Sequence, residues 1–177
     1  MNVMTNNARS GAVKPRSATT DGVDHINIGN DAKTELGQLL AHFTESHFTH
    51  PYLGSFNCME GYWHYVRAEH PDDKLRLLVG RAAYLYGKKL KTIRRTAFRE
   101  IIMDGNYQKI VENDRLRELL VKSTLPFMQY FAYGPEGLLI NPPTAPWLVP
   151  DFERLRELFK SGEPFKFVPY ESYQLIG

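Results

Sequence analysis

FNCMEGYWHYVRA, residues 56–68, reads as a helix with two unlike faces. At helical spacing Met59, Tyr62, Trp63 and Val66 form an apolar stripe, and Glu60, His64 and Arg67 form a polar face beside it. The pattern predicts a helix from about Cys58 to His70, stopped by Pro71. Glu60 carries two readings. Asn57 and Glu60 have the spacing of a capping box, with Asn57 as the cap and Glu60 at the third helical position. A carboxylate bordered by Tyr62 and Trp63 is also open to desolvation, which raises a carboxyl pKa and suits it to acid or base work. Spacing alone favours the cap.

Upstream, HINIG (25–29) alternates between turn residues, as a short strand does. NDAKTELGQLLAHF (30–43) mixes helical spacing with Gly37 and fixes no single state. SHFTHPYLGSFNC (46–58) reads as two extended segments around a turn at Pro51–Gly54. Downstream, Asp72 or Asp73 is placed to cap one helix over KLRLLVGRAAYLYG (74–87), with Gly87 as its stop. AFREIIMDGNYQKIVEN (97–113) is helical with an interruption near Asp104-Gly105, and DRLRELLVKS (114–123) is capped by Asp114 or Asn113. LPFMQYFAYG (125–134) has the content of a buried strand. DFERLRELFKSG (151–162) is a last amphipathic helix before an aromatic tail. These elements predict a helix-rich α+β single domain with a small sheet. Residues 1–24 read as a flexible tail, 25–177 as the domain, and 135–177 as its C-terminal extension.

The 177 residues suit one domain, and 42% hydrophobic with 24% charged content is ordinary for a soluble protein. Ten Phe, ten Tyr and two Trp imply a heavy core or a pocket for a planar ring. A net charge of +2 is too small to imply nucleic-acid binding by itself. One cysteine, Cys58, excludes an internal disulfide framework and a multi-cysteine zinc site. No apolar run is long enough for a membrane span, and the N-terminal residues lack the apolar core of a secretory signal. The chain reads as soluble and cytoplasmic.

KKLKTIRRTAFR (88–99) concentrates Lys88, Lys89, Lys91, Arg94, Arg95 and Arg99. Such a run is either a solvated face or a phosphate grip, since Arg offers a fork and Lys a point charge. The run lacks the order of a P-loop. No HExxH pairs the six histidines and no GxSxG presents a serine, so neither a metal site nor a nucleophilic hydrolase is expected.

Taken in order, these blocks resemble the NADAR family, named for a link to NAD and ADP-ribose chemistry, some of whose members are N-glycosidases. The resemblance runs from about Ile26 to Gly134. GQLLAHF is similar to the family segment ending in Ser-Asn-Phe, with Ala41-His42-Phe43 in its place. FNCMEGYWHYVRA matches the helix with a Glu followed by aromatics, and Glu60 matches that Glu. GRAAYLYGKKL resembles the small-residue helix ending in a basic stretch, and residues 97–134 resemble the closing helix pair and strand. Two departures stand out. Ala97-Phe98 occupies the place of the family's Asp-Trp, and Tyr130, Tyr133 and Gly134 replace its acidic tip.

The resemblance implies a NADAR-like fold in which Glu60 faces a pocket and assists cleavage of a C–N glycosidic bond. It implies that Phe43, Trp63 or Tyr130 stacks on the base, and that Lys88, Lys89, Arg94 or Arg95 holds phosphate. The implied substrate is an ADP-ribose-type or ribosyl-nucleotide small molecule, with ADP-ribosylated nucleic acid as the macromolecular form. No metal and no redox cofactor is called for. The alternatives are an inactive ADP-ribose- or nucleotide-binding module, and a nucleic-acid-associated protein using the basic run. Oligomeric state is not legible.

Overall fold

The computed structural model describes residues 18–133, 138–140 and 145–176. Among them, seven α-helices surround three two-stranded β pairings, a helix-rich α+β fold. β1 (Ile26–Asn27) leads into α1 (Glu35–Leu40), whose start is fixed by Thr34 accepting from the Gly37 N–H. β2 (Phe48–His50) and β3 (Gly54–Phe56) form the expected antiparallel hairpin.

α2 (Met59–Arg67) is shorter than its periodicity suggests. Its cap is Cys58, whose Sγ accepts from the Gly61 N–H at 3.4 Å. Asn57 instead donates to the Leu77 carbonyl, so no Asn57–Glu60 capping box forms. The far end stops at Ala68, which turns extended and bridges Thr92 well before Pro71.

The single helix expected over 74–87 is broken into α3 (Lys74–Leu77) and α4 (Gly80–Gly87). Leu78 and Val79 are extended, and Gly80 takes φ +53°, a left-handed conformation that glycine adopts without steric cost. The break follows from packing: Cys58 Sγ donates to the Leu78 carbonyl, and Gly61 backs directly onto the Leu75 carbonyl.

α5 (Phe98–Glu112) runs unbroken through Asp104-Gly105. Gly105 lies flat against the Tyr62 ring, where a Cβ would overlap it. Tyr62 is fully buried and donates to the Ile101 carbonyl at 2.9 Å, which satisfies its hydroxyl inside the core. Phe48, Phe56, Met59, Val66 and Ile102 complete this centre. Asn113 caps α6 (Asp114–Lys122), accepting from the Leu116 N–H.

The single strand expected over 125–134 is two. β4 (Phe127–Met128) pairs in parallel with β1, and β5 (Phe131–Tyr133) pairs antiparallel with β6 (Leu138–Ile140). α7 (Leu148–Ser161) starts earlier than expected because Pro150 fits its first turn, and it ends at Gly162 with φ +71°. Residues beyond it cross α5: Phe165 stacks on Tyr107 at 4.0 Å, and Tyr173 donates to the buried Asp104 carboxylate. At the other end, residues 18–20 form a 3-10 turn and buried Asp21 accepts from the Asn27 and Lys33 N–H groups. The remainder of the segment expected to be a flexible tail, residues 1–17, lies outside the described residues. No helix among the described residues is long and apolar enough to cross a membrane.

Candidate functional site

Glu60 sits in the first turn of α2, with its N–H donating to the His42 carbonyl at 2.9 Å. Its carboxylate is 12% exposed and accepts from His64 Nε2 at 3.2 Å. The two are one helical turn apart, so the bond follows from the backbone. With its hydrogen on Nε2, His64 presents Nδ1 as an acceptor, and that atom is buried without a partner. Gly87 of α4 allows the close approach, because any side chain there would overlap the imidazole.

α4 then supplies Tyr84, whose ring lies 6.1 Å from His64 and 5.9 Å from Phe43. Lys88 Nζ stands 5.2 Å over Tyr84, a cation–π contact that keeps an ammonium at the rim. Glu60, Phe43 and Lys88 are therefore brought together through His64 and Tyr84.

Trp63 occupies the adjoining part of the same helix face. The Phe98 ring meets it edge-on at 4.9 Å, Trp147 lies nearly parallel at 5.8 Å and 12°, and His42 is 5.7 Å away. Phe98 thus keeps an aromatic ring where the sequence departs from Asp-Trp, without the carboxylate.

Behind His42 lies Lys109 of α5. It is 1% exposed and donates to the Ala41 carbonyl at 2.9 Å. Burial lowers its pKa to about 7, and burial together with the Lys109 charge lowers that of His42 to about 3. An amine that loses its charge near neutrality and a neutral imidazole therefore stand beside the backbone that holds Glu60.

The other candidate residues lie apart. Lys89 is exposed at the end of α4. Arg95 donates to the Val66 and Ala68 carbonyls at the C-terminal end of α2, about 10 Å along the helix from Glu60. Exposed Arg94 joins it in lining a 280 Å³ cleft with Glu171 and Ser172. Within the run, Lys91 pairs with Glu69 and Arg99 with Asp151. Tyr130 is 2% exposed; its hydroxyl donates to His25 Nε2 at 2.6 Å, and His25 Nδ1 donates to Asp24. Its ring is spent on closing the core. A larger cleft of 490 Å³, between α5, α7 and the last residues, contains none of the candidates.

Sequence signals for the missed residues did exist: Tyr84 precedes the candidate Lys88 by four positions, as Glu60 precedes His64, and Lys109 falls four after Gly105 on the buried face of α5. Trp147 carried no signal, because its partner is 84 positions away (147 − 63).

No protein-family model matches the chain, and no curated protein matches it. Its fold is similar to that of the Escherichia coli protein YbiA, solved by NMR, with a TM-score of 0.52 at 14% identity. The two superpose over 85% of this chain and 98% of YbiA. The likeness is one of fold.

Proposed function

We propose that the chain is an N-glycosidase that cleaves the C–N bond of an ADP-ribosylated or ribosylamino, phosphate-bearing substrate. The observation that carries the reading is the Glu60–His64 pair, a shielded carboxylate beside aromatic faces and an exposed ammonium. The fold likeness to YbiA, the prototype of the NADAR family, supports it. As the C–N bond breaks, positive charge develops on the sugar, and a carboxylate held out of bulk water stabilises that charge. Glu60 also accepts a proton from the attacking water, whose oxygen bonds to the anomeric carbon while the base departs with the bonding electrons and is protonated by solvent water, to which Glu60 then returns its proton. His64 orients the carboxylate. Lys88 and Arg94 are exposed cations for phosphate, whereas Arg95 serves α2 first.

A second reading, a binding module without turnover, is favoured by the loss of the carboxylate at Ala97-Phe98. Incubation with ADP-ribosylated DNA, ADP-ribose conjugates and ribosylamino-pyrimidine phosphates, followed by mass spectrometry, separates the two. Release of ADP-ribose or ribose phosphate that is lost in Glu60→Gln supports the glycosidase. Binding without release from any substrate overturns it in favour of the module.

A further inference from the structure

The 490 Å³ cleft between α5, α7 and the residues after Gly162 is large enough for a small organic ligand. Its apolar lining comes from Met103, Leu158, Phe165 and Val168. Carboxylates stand on two walls of it, Glu100 and Asp104 on α5, Glu157 on α7 and Glu163 just past the end of α7. Arg154 and Lys166 are the only cations of the lining, so acids outnumber bases there. Glu157 is held loosely, 3.7 Å from Lys160. Asp104 is 2% exposed, and its Oδ2 takes both of its hydrogen bonds, from the Val168 N–H at 3.0 Å and from the Tyr173 hydroxyl. Its Oδ1 accepts from no described residue, and no described lysine or arginine pairs with the carboxyl. Glu100, one helical turn away, adds a like charge instead of a partner. Burial together with that charge raises the Asp104 carboxyl to about 7. A shielded carboxyl with one oxygen unpaired is costly, and a cationic donor seated in the cleft relieves that cost.

We infer that this cleft binds an aliphatic diamine or polyamine, with one ammonium ion on Asp104 and Glu100, the next against Glu157 and Glu163, and the methylene chain over the apolar lining between them. An ammonium brings a charge and three donors, which suits Oδ1 of Asp104 and the neighbouring Glu100 together. Its methylene stem covers apolar surface while the charged ends stay on the acids. A metal ion is a poorer fit, because no three His, Cys, Asp or Glu side chains among the described residues are grouped to hold one. The net charge of +2 opposes loose attraction of polycations to the surface at large, so binding must come from a local site. The cleft contains none of Glu60, His64, Lys88 and Arg94, so the inference stands apart from the glycosidase reading.

Calorimetric titration of the full chain with putrescine and spermidine, at about 0.15 M salt to screen diffuse attraction, tests the site. The controls are n-butylamine, one ammonium on the same stem, and butanediol, the uncharged analogue. Both polyamines are expected to bind saturably, n-butylamine about tenfold more weakly, and butanediol not at all. Asp104→Asn is expected to weaken putrescine binding about tenfold or more, the loss of a charged hydrogen bond from a shielded position. Glu100 is exposed and makes no ion pair among the described residues, so Glu100→Gln leaves the fold intact and decides the matter even where Asp104→Asn fails to fold. It is expected to weaken binding about two- to fivefold, whereas Glu45→Gln, exposed outside the cleft, leaves it unchanged. No saturable binding of either polyamine, equal binding of n-butylamine or butanediol, wild-type affinity in Glu100→Gln or in a folded Asp104→Asn protein, or an equal loss in Glu45→Gln overturns the site. Cleavage of a ribosylated substrate bears on Glu60 alone and leaves each of these outcomes unchanged.

Discussion

Gly87 and His64 pack backbone to ring, with no room between them for a methyl group. The bond from His64 to Glu60 depends on this contact, which with the Tyr84 ring forms the wall of α4 against the imidazole. Gly87→Ala should displace the imidazole and loosen the carboxylate. Overpacking of this kind costs roughly 1–3 kcal/mol, and thermal melting would register it. The sharper measurement is turnover, expected to fall by more than the stability loss explains. An alanine variant with unchanged cleavage would show that His64 has no positioning role.

Glu60→Gln should leave the melting temperature close to wild type, since the amide oxygen still accepts from His64. Cleavage should fall by roughly 10²- to 10⁴-fold, the range expected for a positioned acid–base carboxylate. A residual rate near wild type would remove Glu60 from the chemistry.

Arg94 and Arg95 should separate stability from ligand affinity. Arg95→Ala removes the donor to the last carbonyls of α2 and should cost about 1–3 kcal/mol in a denaturant titration, because a charged hydrogen-bond donor to buried groups is lost. Arg94→Ala should leave the unfolding midpoint unmoved and weaken binding of a phosphate-bearing nucleotide, more so at low salt. Equal destabilisation by both variants would contradict the division.

Lys109 has its pKa lowered by burial from 10.5 to about 7, so the folded chain binds fewer protons than the unfolded chain between those values. Stability from this residue should therefore rise with pH from about 7 to 10.5 and be fully penalised below 7. Lys109→Met removes both the slope and the buried amine. Urea unfolding across pH 7–10 should be flatter in the variant, with equal or greater stability near pH 7. A variant that keeps the wild-type slope would show that another group titrates there.

Asp104 works in the opposite sense. Burial raises its carboxyl to about 7 despite the hydrogen bonds from Tyr173 and the Val168 N–H. The folded chain then holds a proton the unfolded chain has lost, so this contribution falls as pH rises from about 4 to 7. His42 and His50, lowered to about 3 and about 4 by burial, push stability upward over much of that window. Asp104→Asn keeps an acceptor and removes the falling contribution. Stability should then rise more steeply between pH 4 and 7 than in wild type; an unchanged profile would count against a titrating Asp104.

Much of this was legible locally. The β2–β3 hairpin, the α2 stripe and the Asn113 cap follow from residues within a few positions of one another, where spacing and turn chemistry act. Glycine misled in one place: Gly105 looked like an interruption, but α5 runs through it and the Tyr62 ring presses on its backbone, whereas Gly87 does end α4 and also takes the His64 ring against it. Such contacts leave no periodic trace. The same holds for the site: Glu60 and His64 were visible as helix neighbours, whereas Trp147 reaches Trp63 through the fold alone. Tyr130 was offered as a stacking residue by the resemblance, but its hydroxyl is bonded to buried His25.

The parallel pairing of β1 with β4 joins Ile26 to Phe127, 101 residues later (127 − 26). Closing a loop of that length costs entropy before the contact returns anything, so contacts this remote in sequence arrive late in folding. As the chain is synthesised, the β2–β3 hairpin, α2 and α5 can assemble around Tyr62 while the backbone of Ile26 still waits for a partner that has not been made. Until Phe127 has been made, any early assembly of those elements leaves the edge of Ile26 open to other chains, and it leaves the core short of Phe152 and Tyr173.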